Sequence, residues 1–561
     1  MIYSPNQHFI KKKPNLASCN YQPKQLAMRK IFALIFAVLL SCSVFAGGLV
    51  TNTNQSASFI RNPSRGASLE VDAAYFNPAG LTFLSDGFHF SISNQTITQE
   101  RTIFNDFIRL RMKDFTGDVT APLFPSVFAV YKINRLALSL GVMPIGGGGS
   151  AFYDDGLPSF EMQVAQIAAG LTASGIPTTQ YGYDREFDGS SVFWGFQGIA
   201  AYRVTDKLSV AAGARYIMAR NSYSGYLRHI GINPNQPAFG SLFNGTNVVQ
   251  APFFFASAAT VLTGWSSGAS SFATALQPII TGGGGAVLLS NGTTVGLTAD
   301  QVTQIQGLIT AAGQNPTPMT LSTAQTTLAA AAPAFASRSV QMNAMAQLTA
   351  NKQVDATQKG SSIAPIFGLT FRPIEQIVVG FKYEHKAEMT LTNHTVLDDT
   401  GLFPDGIQTP SDMPSKFSLG VAVEPIPWLR LTGTGHYYLD RKANYGKKIH
   451  GNFVPNSEVI DKNLWEAAFG VELKITDRLL LSTGYLRTKS GVNAKYQSDL
   501  SHSLSTYSLG GGVRYGVAEN INLNVGLMNT WYEEYFRNFG IYAEAYNRKA
   551  FVIALGVDFS L

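Results

Sequence analysis

The chain has 561 residues, of which 14% are charged and 12% are aromatic. Average soluble domains carry roughly 25% charged residues, and no run of about 20 apolar residues follows the amino-terminal region, which argues against a helical membrane protein. The net charge of +6 arises in residues 1–46, where six Lys and Arg stand without an acidic residue; the remainder balances at 36 basic and 36 acidic residues. This balance excludes nucleic acid as an expected partner.

Residues 1–46 have the features of a leader and secretory signal peptide. Met28–Lys30 precedes an apolar run over 31–40, and residues 44–46 form a small-residue cleavage site. Met28 is an alternative start codon. The sequence ending at Cys42 also resembles a lipoprotein cleavage box, so lipidation of Cys42 is a second alternative.

From about residue 88, apolar and polar residues alternate with a period of two. Between 549 and 560, for example, every second residue from Phe551 to Phe559 is apolar. Such alternation predicts β-strands with one apolar and one polar face. Fourteen strands are predicted, near 88–97, 124–132, 136–144, 192–203, 207–220, 361–372, 376–389, 414–424, 428–439, 464–475, 478–489, 504–516, 520–532 and 549–560.

Very short connections between these strands alternate with long ones. The short connections are 132–135, 204–206, 373–375, 425–427, 476–477 and 517–519. All long loops therefore lie at one end of the sheet, as in an outer-membrane barrel, and the open edges of a sheet are costly in lipid. We predict an all-β fold in which residues 88–561 form a fourteen-stranded antiparallel transmembrane β-barrel. A soluble antiparallel sandwich is the alternative.

The largest loop insertion, about 221–360, is nearly uncharged and rich in apolar residues. Asp300 is the only charged residue between His229 and Ser337, and residues 298–301 have the pattern of a capping box that opens a helix. A similar short helix is predicted near 164–171. The apolar side chains form either a hydrophobic capture surface or contacts between packed helices; they include Phe253, Phe254, Phe255, Trp265, Ile305, Leu308 and Ile309.

Residues 47–87 lack strand alternation and contain the sequence Asn77-Pro78-Ala79-Gly80-Leu81. This motif, placed between a signal peptide and fourteen predicted strands, resembles the FadL/TodX family of outer-membrane transporters for long-chain fatty acids and other hydrophobic compounds. The resemblance covers nearly all of the mature chain except about 229–360, and it extends to residues 140–144, 155–161, 413–420 and 468–472.

The resemblance implies that residues 47–87 form a hatch in the barrel lumen, held against the wall by Asn77, Pro78 and Ala79. Pro78 biases Asn77 toward an extended backbone, and the Asn77 amide can both donate and accept; an ordinary turn is the alternative. The family also releases substrate sideways at a kink in the third strand. The kink would lie at Pro144, Gly146 and Gly147, unless the strand simply ends there.

We therefore predict passive transport of hydrophobic small molecules, most of all long-chain fatty acids, by a monomer embedded in the lipids of the bacterial outer membrane. The sequence has no phosphate loop, zinc-ligand spacing or nucleophile elbow, so no enzymatic activity, cofactor or metal is expected. A general diffusion porin and a surface adhesin or structural barrel are the alternatives. The sequence does not separate fatty acids from aromatic hydrocarbons.

Overall fold

A computed structural model of the protein describes residues 56–561 except Asp154 and His450. The predicted signal peptide, the alternative start at Met28, Cys42 and residues 47–55 of the predicted hatch lie outside the described residues. The predicted boundaries of the leader and the hatch therefore stay predictions.

Antiparallel strands make up most of the chain. They are β1 (Gly87–Asn105), β2 (Asp114–Ile133), β3 (Leu136–Phe152), β4 (Thr178–Arg203), β5 (Leu208–Pro234), β6 (Val249–Gln250), β7 (Lys352–Ile374), β8 (Ile377–Glu384), β9 (Thr390–Asp398), β10 (Gln408–Pro410), β11 (Lys416–Ile426), β12 (Leu429–Tyr438), β13 (Lys448–Ile449), β14 (Asn452–Phe453), β15 (Trp465–Lys474), β16 (Leu479–Lys489), β17 (Thr506–Ala518), β18 (Ile521–Tyr532), β19 (Tyr535–Asn538) and β20 (Ala543–Ser560).

Fourteen of these strands form a closed ring in the order β1, β2, β3, β4, β5, β7, β8, β11, β12, β15, β16, β17, β18 and β20. The ring closes where β20 pairs with β1, from Ser560 opposite His89 to Glu544 opposite Asn105. Each ring strand overlaps one predicted strand, which confirms the fourteen-stranded antiparallel barrel. The remaining short strands belong to the connections between ring strands.

Several strands extend beyond their predicted ends on the side of the long loops. β1 continues to Asn105 and β5 to Pro234, so the large insertion spans 235–351 rather than about 221–360. Above the lipid, neither face of a strand has to be apolar. The period-two pattern of the sequence is therefore lost there, although the hydrogen bonds between strands continue. β8 is shorter than predicted and ends at Glu384, because Ala387 forms an isolated bridge with Met413 instead.

The two faces of the wall differ as predicted. Along β20, Leu555 is 59% exposed, whereas its neighbour Ala554 is 0% exposed. The same contrast on β1 separates exposed Phe88, Phe90 and Ile92 from buried polar residues between them. An outward apolar surface on a closed sheet with no free edge suits a barrel that crosses a lipid bilayer.

Residues 56–86, here called the inner segment, lie inside the ring. They form α1 (Ala57–Arg61), α2 (Ala73–Phe76) and a 3-10 helix (Pro78–Phe83). Main-chain and side-chain groups of the inner segment are hydrogen-bonded to wall side chains at strands all around the ring, including β1, β5, β7, β12, β15, β17 and β18. Only a segment within the lumen can reach all of these strands.

The long loops contain the remaining α-helices, together with 3-10 helices at Pro237–Phe239, Gly284–Ala286, Leu289–Val295 and Asp440–Lys442. The α-helices are α3 (Pro158–Ala173), α4 (Ala251–Thr281), α5 (Ala299–Ala311), α6 (Leu321–Leu348) and α7 (Asn456–Val459). The predicted capping box is present at α5, where Thr298 and Gln301 bond reciprocally. α4 packs along α6. Within the described part of the chain, no helix is both long and apolar enough to cross a membrane.

Candidate functional site

Asn77 is fully buried between the inner segment and the barrel wall. Its Nδ2 donates to the carbonyl oxygen of Ser68 (3.0 Å), and its Oδ1 accepts from the Oγ1 hydroxyl of Thr370 on β7 (2.7 Å). The Asn77 amide thus uses its donor within the inner segment and its acceptor at the wall, and so joins two parts of the inner segment to the wall. The role of this contact in transport stays a prediction.

Pro78 and Ala79 also touch the wall. Pro78 occupies the start of the 3-10 helix, where its missing N–H leaves no helical bond unmade. A Cβ placed on Gly368 of β7 would lie 3.0 Å from Pro78 Cγ. The carbonyl oxygen of Ala79 accepts from the hydroxyl of Ser209 on β5 (2.6 Å). The three motif residues therefore contact neighbouring strands β5 and β7.

The inner segment and the wall approach each other closely at two wall glycines. A Cβ on Gly420 of β11 would lie 2.1 Å from the carbonyl carbon of Gly66, and one on Gly380 of β8 would lie 2.2 Å from the Gly66 oxygen. No side chain fits at either distance. The two main chains are thus in direct contact, which only glycine permits.

Ion pairs add to this attachment. Arg61 donates to Glu472 on β15 (2.9 Å), and Arg65 donates to Asp72 within the inner segment (2.7 Å). Glu70 accepts from Arg65 and from Arg514 of β17, both at 2.5 Å. Removing one partner of such a buried pair leaves an uncompensated charge, which is strongly destabilising. The network therefore fixes the inner segment in one position.

A small cavity separates the inner segment from the wall. Its volume of about 10 Å³ holds roughly one water molecule, so an alkyl chain passes only if the inner segment or nearby side chains move. The lining residues are Phe59, Tyr75, Phe76, Lys382, Lys416, His436, Tyr438, Glu466 and Leu486.

The ring of Tyr75 covers three wall cations beside this cavity. Its centroid lies 4.8 Å from the Arg215 guanidinium, 4.4 Å from Lys382 Nζ and 5.3 Å from Lys416 Nζ. Glu384 pairs with Lys382 at 3.0 Å, with Lys416 at 3.2 Å, and with Arg215. These cations therefore already have an anionic partner and an aromatic cover.

A second group of cations lies higher in the lumen, toward the long loops. Arg101 of β1 and Arg548 of β20 are direct cross-strand partners with inward-facing side chains. Among the described residues, neither forms an ion pair with a carboxylate. Arg101 Nε donates to Gln99, and Arg548 lies 3.3 Å from His502 Nε2, while the buried Nε of Arg548 has no hydrogen-bond partner. Two uncompensated guanidinium groups so close together favour an anion between them.

His502 does not add a third charge to this pair. It lies in the loop between β16 and β17, and burial, together with the nearby Arg548 and Arg101, holds the pKa of His502 well below its usual range. The imidazole is therefore neutral at neutral pH and offers a ring nitrogen as an acceptor.

The arginine pair borders a cluster of apolar side chains, here called the mouth cluster. Tyr546 of this cluster stacks on His502 at 5.0 Å between ring centroids, and the Arg548 guanidinium lies 5.2 Å from the ring of Tyr532. A charged group next to an apolar cluster suits an amphiphilic ligand. The buried members of the cluster are Ile103, Leu110, Phe115, Val119, Ala151, Tyr153, Leu157, Met162, Leu504 and Tyr546.

Sequence reasoning missed this arginine pair. Arg101 lies beyond the predicted end of β1 at 97, and Arg548 lies just before the predicted start of the last strand at 549. The alternation of Gln99, Arg101 and Ile103 indicates that these residues share one face of a longer strand. Only the pairing of β20 with β1 reveals which residue lies opposite Arg101.

The third strand is irregularly paired, while a kink that releases substrate there stays a prediction. β3 pairs with β4 along its whole length, with register shifts after Pro144 and Gly147. Its pairing with β2 stops between residues 143 and 150, opposite residues 120–126 of β2. Gly147 has a φ of +96°, in the left-handed region. The wall is thus unpaired on one side of Pro144, Gly146 and Gly147, next to the apolar contacts between inner segment and wall.

The predicted capture surface requires a correction. Phe254, Phe255, Ile305 and Ile309 are at most 1% exposed, Leu308 is 9% exposed, and Trp265 packs against the same cluster. These side chains form the core between α4, α5 and α6, because long apolar helices bury their apolar sides against one another. Only Phe253 is substantially exposed, at 49%. The alternative of helices that pack on each other therefore applies to these residues.

Within the described residues, no group of three or more His, Cys, Asp or Glu side chains is arranged to hold a metal ion.

Comparison with solved structures shows the fold. The crystal structure of a Pseudomonas aeruginosa FadL homologue matches with a TM-score of 0.53 and 14% identity, over 91% of this chain and 99% of that chain. The Ralstonia pickettii toluene transporter TbuX matches with a TM-score of 0.46 and 14% identity, over 91% and 100% of the two chains. The Pseudomonas putida toluene transporter TodX matches with a TM-score of 0.47 and 12% identity, over 91% and 99%.

No protein-family model and no curated protein sequence matches this chain. At such low identities, the shared feature is the fold: a fourteen-stranded barrel like that of the FadL homologue. A closed barrel with an outward apolar surface belongs in the bacterial outer membrane.

Proposed function

We propose that this protein carries hydrophobic small molecules passively across the outer membrane, and that its substrates are long-chain fatty acids. The barrel and its likeness to the FadL homologue support hydrophobic transport. The inner segment supports transport through a plugged barrel rather than an open diffusion pore, because its ion pairs and main-chain contacts fix it across the lumen.

The Arg101–Arg548 pair is the observation that carries the fatty-acid proposal. A carboxylate between two guanidinium groups accepts charge-assisted hydrogen bonds, which are about twice as strong as neutral ones. Partly exposed side chains that pack against the mouth cluster, among them Phe187, Leu500 and Tyr532, offer apolar contact to the alkyl chain, at roughly 0.8 kcal/mol for each buried methylene. A hydrocarbon without a carboxylate accepts no such hydrogen bond from the arginines.

The unpaired stretch between β2 and β3 supports a sideways exit for the substrate. It lies between the apolar contacts around the inner segment and the lipid side of the wall, where Leu123 of β2 is 77% exposed. A fatty acid on this route never crosses an aqueous pore. Its alkyl chain moves from apolar protein directly into apolar lipid.

Uptake by cells that express the protein tests the substrate. We expect oleate to enter faster than a hydrophilic sugar. The double substitution Arg101→Gln and Arg548→Gln should raise the half-saturating oleate concentration about tenfold or more, since a hydrogen bond to a charged group contributes about 1.5–3 kcal/mol. Toluene uptake should not change. The matched control is Arg487→Gln with Lys489→Gln, which removes two cations that already pair with Glu533.

The outcomes separate the alternatives. Equal loss of oleate and toluene uptake in the Arg101/Arg548 variant would contradict a carboxylate site. Preferential entry of the sugar, or a large and steady single-channel conductance of the intact protein, would instead establish a porin. Absence of all uptake together with cell adhesion would establish an adhesin.

Chemical blocking of the wall tests the sideways exit. The variant Leu123→Cys, modified with a bulky maleimide in detergent and then reconstituted, should take up oleate more slowly than the unmodified variant. Leu419→Cys, with 54% exposure on β11 across the ring, is the matched control. Equal uptake by the modified and unmodified Leu123→Cys proteins would exclude an exit at this place.

A further inference from the structure

Two cations stand side by side on the outer surface of the barrel. Arg220 of β5 and Lys359 of β7 are direct cross-strand partners, and both side chains are exposed on the face that carries Met218 and Ile363. Directly opposed residues on one face have Cβ atoms about 4.5–5.5 Å apart, and like charges in this arrangement are destabilising. Within the described part of the chain, neither cation forms an ion pair or a side-chain hydrogen bond.

The height of this pair is set by the strands. Arg220 and Lys359 are each twelve residues beyond the paired residues Leu208 and Phe371 at the turn side. At about 3.4 Å per residue and a tilt of about 45°, they stand about 29 Å above that end, just past an apolar band about 25 Å tall. Both cations therefore lie at the level of the lipid headgroups in the outer leaflet.

Hydroxyl groups surround the pair on the same face. Ser361 lies one step toward the membrane, while Ser222 and Thr357 lie one step away from it, and Thr392 of β9 is the other cross-strand neighbour of Lys359. Hydroxyls and cations together are the usual protein ligands of phosphate oxygens.

Three other outward cations at this end of the barrel lie beside acids. Arg487 and Lys489 of β16 both pair with Glu533, and Lys549 of β20 lies 3.9 Å from Glu100. The Arg220–Lys359 pair differs from them because it has no such acid, although it faces the same environment.

We propose that Arg220 and Lys359 bind the phosphate of a lipid headgroup in the outer leaflet. The planar guanidinium of Arg220 can hold two phosphate oxygens at once, and Lys359 supplies a second charge from the neighbouring strand. A bound phosphate converts the repulsion between the two cations into attraction to a shared anion. It also fixes β5 and β7, the strands that carry the large loop insertion, to the membrane surface.

Lipid binding by the purified protein tests this site. Detergent-solubilised protein would be titrated with phosphatidic acid, with phosphatidylcholine and with inorganic phosphate, and retained lipid would be counted by native mass spectrometry. We expect phosphatidic acid to bind, and the double substitution Arg220→Gln and Lys359→Gln to weaken its binding about tenfold or more. Arg487→Gln with Lys489→Gln is the matched control and should bind like the unmodified protein.

Three results would overturn the proposal. They are unchanged binding of phosphatidic acid by the Arg220/Lys359 variant, equal loss in the control variant, and equally tight binding of inorganic phosphate, which would make the site one for a free anion. Both variants should give the heat-modifiable band shift of a folded barrel on electrophoresis, so that loss of binding does not reflect loss of folding.

Discussion

Replacing Asn77 with alanine should release the inner segment from the wall without unfolding the barrel. The substitution deletes the donor to the Ser68 carbonyl and the acceptor for the Thr370 hydroxyl. Both partners are buried, at 3% and 0% exposure, so water does not replace the lost bonds in the docked state. A buried polar group left without a partner costs about 1–3 kcal/mol.

Two such groups together would cost about 2–6 kcal/mol. Because local relaxation recovers part of this cost, docking should weaken by the lower half of that range, about 2–4 kcal/mol. Since about 1.4 kcal/mol corresponds to a factor of ten, the undocked fraction should rise about 30- to 700-fold. Thr370→Val removes only the hydroxyl donor on the wall and should weaken docking less than Asn77→Ala does. In the double variant the apolar side chains face each other, so the two effects should fall short of additivity by about 1 kcal/mol.

Native-state hydrogen exchange of the reconstituted protein measures this equilibrium. Amides of α2 and the 3-10 helix should exchange faster in Asn77→Ala by the stated factor, while amides of β17 and β18 keep their rates. Oleate uptake should fall although the amount of folded barrel is unchanged. Unchanged exchange of the inner segment would refute the reasoning, as would strict additivity of the two substitutions, because either result means that the Asn77–Thr370 bond does not hold the segment.

Single substitutions at Gly420, Gly147 and Lys447 test the close main-chain contact, the irregular third strand and a buried loop cation. Gly420→Leu should speed exchange of the inner segment about 5- to 140-fold, since overpacking costs about 1–3 kcal/mol, while Gly433→Ala, where a Cβ would meet nothing within 4 Å, should not. Gly147→Ala should lower the urea midpoint of barrel unfolding, because φ is +96° and a Cβ would lie 2.1 Å from the Ser191 oxygen; an unchanged midpoint would contradict this. Burial lowers the pKa of Lys447 from 10.5 to about 7, so the unfolded loop binds the proton more tightly and stability should rise from pH 7 to 10.5. Lys447→Met should remove that slope from the pH profile of loop proteolysis, and a slope that persists would assign it to another group.

The barrel was predictable because lipid constrains every second residue of a strand. Phe551 to Phe559 must be apolar outward, so the period survives in the sequence, and turn lengths give the orientation. The same logic fails above the membrane, where β5 continues to Pro234 without an outward apolar face. The motif at Asn77 also marked a contact with the wall, but its partner Thr370 is 293 positions away and only the fold identifies it.

The candidate carboxylate site and the loop core were not predictable, for different reasons. Arg101 and Arg548 meet only because the last strand closes on the first, and no local pattern encodes that register. Phe254 and Phe255 were identified as apolar, yet an apolar side chain has the same signature whether it binds a ligand or packs against a neighbouring helix. Burial of these two side chains depends on where α6 lies, and the sequence of α4 does not encode that position.

The length of β4 and β5 sets the height of the loop helices above the membrane. β5 has 27 residues, so at about 3.4 Å per residue and a 45° tilt it rises about 65 Å, of which the bilayer core takes less than half. The helices α4 to α6 are thus held on a stiff stalk, well clear of the headgroups. Asp300 and Arg338 are the only charged residues between Ala251 and Leu348. Salt weakens interactions between charges, and these helices carry only two. The position of α4 to α6 above the membrane should therefore not change with ionic strength.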